Sequence, residues 1–181
     1  LFRSEGITEL IAAVSGSESN DTGSFEIKLR STVKEGSGRT SYIEGFSRVI
    51  DYMDVSEDDI EKLFEKIKSV SSSDFVIVDM NSTLDKLSNK VFELADRIVI
   101  VEKDNEIFRR KFNIISSYPP IQDVWKKVVT IDNFAHGSYT DKNNVHAPNI
   151  GYISDYGTIS MEDLIRETLR NGSISIDNII G

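Results

Sequence analysis

The stretch FVIVDMNSTLD at 75–85 ends four apolar residues on the carboxylate of Asp79, and a polar, helix-initiating run follows at once. Two chemistries fit. Asp79 is an ordinary strand end that meets water and caps the next loop, or it marks the place where an α/β protein holds a metal and a phosphate. A second candidate is KEGSGRTS at 34–41, where Lys34, Gly36, Gly38, Arg39 and Thr40 imitate a phosphate-binding loop. A strand has room to precede it, and YIEGFSRVIDYM has the residues for a helix after it. Its charges argue against that role. Arg39 stands where the catalytic lysine belongs, and Glu35 would set a carboxylate beside the phosphates. Repulsion between two unit charges at about 4 Å is worth ~4 kcal/mol at an effective dielectric of roughly 20.

Other constellations carry less. His136 and His146 flank the polar loop HGSYTDKNNVH, and with Asp141 they have the types to clasp a metal, but two loop histidines read first as solvated side chains. No Ser-His-Asp set stands in a nucleophile context. The sequences NST at 81–83 and NGS at 171–173 match the glycosylation acceptor pattern, which has meaning only in a secreted chain. Trp125 follows two prolines and reads as a core seal. An oxidoreductase of the dinucleotide-binding type would need a Gly-x-Gly-x-x-Gly turn, and the chain has none.

These residues must be positioned by regular elements. In SEDDIEKLFEKIKSV, Ser56 and Asp59 have capping-box spacing, and Ile60, Leu63, Phe64, Ile67 and Val70 form one helical stripe. Phe75 to Val78 then reads as a strand covered on both faces. Leu84, Leu87, Val91, Leu94 and Ala95 mark a second helix, RIVIV at 97–101 a second strand, and NEIFRRKFNIISSY a helix stopped by Pro119 and Pro120. KKVVTIDNF and NIGYIS supply two more strands. Ser160 with Asp163 caps a final helix that carries Leu164, Ile165 and Leu169 and that Gly172 can end. Nearer the start, SEGITELIAAVS is helical, residues 16–23 form a polar loop, and FEIKLRSTV is ambiguous, with helix preferred over strand. Strands and helices alternating at this spacing predict one α/β domain, 1–181, without a linker. Its sheet is mostly parallel, with helices on both faces. Ligands of such sheets sit beyond the carboxyl ends of the strands, where Asp79 would lie.

Composition narrows the partners. The 181 residues suffice for a sizeable core, and 39% hydrophobic with 28% charged residues is an ordinary globular balance. A formal charge of −9 repels phosphate backbones, so direct nucleic-acid binding is not expected. Arg109, Arg110 and Lys111, with Lys126 and Lys127, read as solvated helix faces and strand flanks. With no cysteine, disulfide and thiol chemistry are excluded, which suits a reducing cytoplasm. No apolar run approaches the roughly 18 residues of a membrane span, and the tail SISIDNIIG lacks the basic residues of a lipid anchor.

From DFVIVDMNSTLDKLSNKVFELADRIVIVEKDN onward, the chain resembles the ParA/MinD family of deviant Walker A ATPases, closest to its CpaE-like pilus-assembly branch. In that family a strand ends in Asp at a switch segment. A helix follows, then LAD before a strand of the RIVIV type, then a helix that begins in a short polar loop. The opening LFRSEGITELI is similar to the family's stretch after its second strand. The resemblance implies a P-loop NTPase-like three-layer sandwich with ATP and Mg²⁺ as cofactors. It implies that Asp79 is the catalytic and metal-side carboxylate, holding a water on the nucleotide's Mg²⁺; hard Mg²⁺ keeps most of its waters, so one carboxylate often suffices. It implies that the Asn133 amide pairs with adenine as donor and acceptor, where the residue-level reading is a turn Asn after a strand. It places GYISDYG beside the base, with Ser154 where proline is usual and Asp155 and Tyr156 as further candidates. Two departures stand out. MNSTLD has neither the Pro nor the Gly usual after the Asp, and the Lys-Gly-Gly-x-Gly-Lys loop is absent, so the expectation is a fragment whose phosphate loop lies upstream of Leu1. In the resemblance, residues 34–40 align instead with a turn before the strand TSYI.

Two hypotheses follow. The first is a ParA/MinD-like ATPase, cytoplasmic, with a nucleotide-dependent homodimer and a protein partner, and without direct nucleic-acid binding or membrane insertion. The second is a non-catalytic protein-interaction module on a degenerate version of the same fold.

Overall fold

The computed structural model describes residues 6–16, 21–36, 40–81, 83–103, 106–135, 147–154 and 160–170. The chain divides into two compact units, Leu1–Leu94 and Ala95–Gly181.

The first unit is built on helices whose apolar stripes face one core. In α1 (Ile7–Ser15), Leu10, Ile11 and Val14 are buried at one-turn spacing. The ambiguous segment is helical: α2 (Thr22–Thr32) is capped by Asp21, whose side chain accepts from the Gly23 N–H at 3.0 Å. Thr22 and Gly23, expected in the polar loop, are therefore its first residues. Phe25 and Leu29 are buried while Ile27 is 73% exposed, as a 3.6-residue period demands and an alternating strand does not. The N-terminus of α1 docks on the chain at Glu44, where the Ile7 N–H donates to the Glu44 carbonyl at 2.8 Å. A Cβ on Gly6 would lie 2.8 Å from that same oxygen, so this close approach needs glycine.

Residues Lys34–Glu35 (β1) and Ser41–Tyr42 (β2) pair antiparallel. Of YIEGFSRVIDYM, which a phosphate loop at 34–40 would have required as a helix, only Val49–Met53 (α3) is helical. The helix α4 (Glu57–Val70) has both halves of its capping box: Asp59 N–H donates to Ser56 Oγ at 3.1 Å, and Ser56 N–H donates to Asp59 Oδ2 at 3.0 Å. Its Ile60, Leu63 and Ile67 join the α1 and α2 stripes and Leu87 of α5 (Lys86–Leu94) in a single cluster.

The expected strand at Phe75–Val78 is not formed. Residues 71–81 carry no helix or ladder, and Phe75, Val76, Ile77 and Val78 are 59%, 51%, 91% and 44% exposed. An apolar run becomes a strand only beside a partner. Among the described residues of this unit, the only paired strands are β1 and β2, which satisfy each other.

The second unit holds a three-stranded parallel sheet in the order β3 (Ile98–Lys103), β4 (Val128–Ala135), β5 (Asn149–Ser154). The connection from β3 to β4 runs through α6 (Glu106–Ser116), α7 (Pro119–Asp123) and a 3-10 turn at Trp125–Lys127. The two prolines do not merely stop α6. They open α7, where their missing N–H groups have no intrahelical acceptor to lose. Trp125 meets the buried Phe112 edge-on, ring centroids 6.0 Å apart. Val129, Ile131 and Ile150 pack together on the sheet. The Ser160 Oγ accepts from the Asp163 N–H at 3.1 Å and caps α8 (Met161–Arg170); the expected stop at Gly172 lies outside the described residues. The class is thus α/β with a parallel sheet, as the alternation of elements required. No helix among the described residues is long and apolar enough to cross a membrane.

Candidate functional site

Asp79 sits in the loop that joins α4 to α5. Its side chain is exposed, and it makes no hydrogen bond or ion pair with another described residue. It follows an unpaired run instead of closing a strand of the sheet, which corrects the expected placement at a strand mouth. The loop entrance is set by the Ser71 N–H, which donates to the Ile67 carbonyl at 2.8 Å. Further on, Asn81 Oδ1 accepts from the Thr83 N–H at 3.2 Å, a turn that a short amide side chain closes on its own backbone. The exit is set by Asp85, which caps α5 by accepting from the Ser88 N–H at 2.9 Å.

Asp85 has a second donor, the phenol of Tyr52 on α3. Burial pushes the Tyr52 hydroxyl up to about 12; the hydrogen bond to Asp85 and its charge add to this, and Thr83 opposes it. Burial also pushes the Asp85 carboxyl up, but the donors Tyr52, Ser88 and Leu87 outweigh it and hold the group below its usual value. Sequence reasoning missed both residues. Asp85 left a local signal, since an Asp three residues before Ser88 opens the apolar stripe of α5. Tyr52 left none.

The structure brings two other candidates together. Parallel strands end on one edge, so Asn133, near the end of β4, shares the carboxyl edge of the sheet with Ser154, which ends β5. Asn133 is half-buried, paired in register with Lys103 on one side and Ile153 on the other. Between Asn133 and Ala135 the register against β5 slips: Asn133 faces Ile153 while Ala135 faces Ser154. A bulge of this kind bends the strand and re-aims the side chains beside it. A compensating shift lies at Thr130/Ile131, where Asn149 Oδ1 takes the Gly151 N–H at 2.9 Å. Asp155 and Tyr156 lie outside the described residues, as do His136, Asp141 and His146.

The two flanks of the imitation phosphate loop pair with each other. Lys34 and Glu35 lead into a hairpin that returns antiparallel at Ser41, with the Gly36 N–H donating to the Thr40 carbonyl at 3.0 Å. Lys34 pairs with Glu44 at 2.7 Å. A phosphate cradle needs a strand that feeds the N-terminus of a helix, whereas here the chain turns back on itself. Gly38 and Arg39 lie outside the described residues. On α6, Arg110 is exposed and paired with Glu106 at 2.5 Å, the arrangement of a solvated helix face.

The fold is similar to that of a ParA family ATPase. That protein, from Chlorobium tepidum TLS, matches with a TM-score of 0.62 over 96% of this chain and 69% of its own, at 16% identity. No family model matches the sequence, and no curated protein does.

The residues present offer only part of what Mg-ATP would need. Asn133 offers an amide at the carboxyl edge, and Asp79 offers an exposed carboxylate of the kind Mg²⁺ takes singly. Among the described residues no three His, Cys, Asp or Glu side chains form a metal cluster, so a cation here would rest on one carboxylate and water. The described residues contain no lysine-bearing cradle for the phosphates. No hydrolytic step follows from these residues alone.

Proposed function

We propose that this chain is the greater part of a ParA/MinD-like ATPase of the CpaE-like branch, a nucleotide-dependent switch in protein localisation or assembly that recruits a protein partner. The observation that carries the reading is the likeness to a ParA family ATPase over 96% of the chain. Asn133 and Ser154 on one sheet edge support the adenine side, with Asp155 next in sequence; Asp79 is the magnesium-side carboxylate that the resemblance implies. On this reading a Lys-Gly-Gly-x-Gly-Lys loop encoded upstream of Leu1 supplies the phosphate contacts. The protein works in the cytoplasm, its ATP form pairs with a second copy, and the 181-residue segment alone hydrolyses nothing.

A thermal shift with Mg-ATP tests it. A ligand that binds only the folded state adds about 2.7 kcal/mol at a hundredfold excess over Kd. The longer chain melts higher with Mg-ATP, the segment alone does not, and Asp79→Ala removes most of the response without altering the fold. An encoded upstream stretch without the lysine loop overturns the reading.

A second reading, a non-catalytic interaction module on a degenerate P-loop NTPase-like fold, is favoured by two features. MNSTLD lacks the Pro or Gly of the family's switch, and Asp79 follows an unpaired run. In that case the longer chain gives no Mg-ATP shift.

A further inference from the structure

We propose that Tyr52 is a positioning residue for the loop that carries Asp79, holding the loop exit to α3 through Asp85. The functional weight of this latch rests on the reading of Asp79 given above; the latch itself does not.

The loop is anchored at its two ends and sparsely held between them. Its entrance is tied to α4 at Ser71. Within it, the bonds among the described residues are short-range: Ser73 N–H to Ser71 Oγ at 3.1 Å, and Thr83 to Asn81. At the exit, Asp85 divides its two oxygens between different elements, Oδ1 taking the first turn of α5 through Ser88 and Oδ2 taking the phenol of α3. Thr83, inside the loop, lies within hydrogen-bond reach of the same phenol. A single hydroxyl therefore meets both the last residues of the loop and the cap of the following helix.

Tyr52 is well placed to fix position. Its ring stands edge-on to Phe46 with centroids 5.4 Å apart, and both rings pack on the core of the first unit. Arg48 and Asp51 pair at 2.5 Å at the start of α3. The ring is therefore held by packing, and the hydroxyl is the part left to act on the loop. A hydrogen bond to a charged group is stronger than a neutral one. Releasing it frees the loop exit without a cavity, so α3 and the Asp79 loop are coupled through one O–H.

The test is amide hydrogen exchange on the 181-residue chain without nucleotide. Tyr52→Phe keeps the ring and removes the donor. Exchange at residues 83–88 is expected to speed up about tenfold while the amides of α1 and α4 are unchanged. Asp85→Asn keeps an acceptor for Ser88 and Tyr52 without the charge and gives a smaller acceleration at the same amides. The double variant accelerates exchange by less than the product of the two single effects, because both changes act on the Tyr52–Asp85 bond. Unchanged exchange at 83–88 in Tyr52→Phe overturns the proposal, as does an acceleration spread evenly over the whole first unit. Because no nucleotide is present, the outcome is independent of the Mg-ATP melting experiment.

Discussion

The phenol of Tyr52 donates to the carboxylate of Asp85 across 33 residues of sequence, joining a five-residue helix to the cap of α5. A free tyrosine titrates near 10; burial, then the bond to Asp85 and its charge, push this one up to about 12. Because the folded value is raised, the contribution to stability is complete below about 10 and is lost as pH rises through about 12. In an absorbance titration of tyrosinate, one of the six tyrosines is expected to ionise late, and Tyr52→Phe removes that late component. A wild-type curve with a single step near 10 at pH values where the chain stays folded would refute this.

Among the described residues, two carboxylates are held below their usual range. At Asp59, burial pushes the group up, but the donors Ser15 and Ser56, with Lys62 nearby, bring it below its usual value; Asp85 behaves alike through Tyr52 and Ser88. A lowered folded value means stability that is complete above about 3.9 and is lost as pH falls through the folded value. Urea unfolding from about pH 5 to about pH 2 should therefore show a steeper loss for the wild type than for Asp59→Asn or Asp85→Asn, which have nothing left to protonate there.

The helical reading of residues 22–32 separates two neighbouring apolar side chains. Phe25→Ala removes a buried ring and should cost about 3–5 kcal/mol, whereas Ile27→Ala, on the solvent face, should stay within about 0.5 kcal/mol. Equal losses in denaturant melts would mean that the segment is a strand.

In the sheet, Thr130 is fully buried on the central strand, and its hydroxyl has no partner among the described residues. Thr130→Val keeps the shape and removes the orphan oxygen, so a gain of about 1 kcal/mol is expected. A loss of that size would point to a hydrogen bond made by the hydroxyl.

The sequence exposed some of this and concealed the rest for definable reasons. The stripes Leu10–Ile11–Val14 and Ile60–Leu63–Ile67 were legible because burial on one helix face imposes a local period, and the Ser56–Asp59 box because its partners are three residues apart. The parallel strands at 98–103, 128–135 and 149–154 were legible from apolar runs between helical patterns. Phe75–Val78 was not, because such a run states a demand for burial and not the identity of its neighbour. The bulge beside Asn133 depends on how β5 registers against β4, which Asn149 helps to set from another strand. Tyr52 reaches Asp85 only after α3, α4 and α5 have packed.

The exposed run Phe75–Val78 has one more consequence. Four successive apolar residues, uncharged and free of proline, share the composition, at shorter length, of the roughly six- or seven-residue segments that stack identical chains into fibrils. Asp74 and Asp79 bracket the run with negative charge, the position of a gatekeeper that makes such stacking repulsive. A substitution that neutralises Asp79 therefore removes a guard on solubility as well as a candidate ligand, and an Asp79→Ala preparation should be the one that turns cloudy first on concentration.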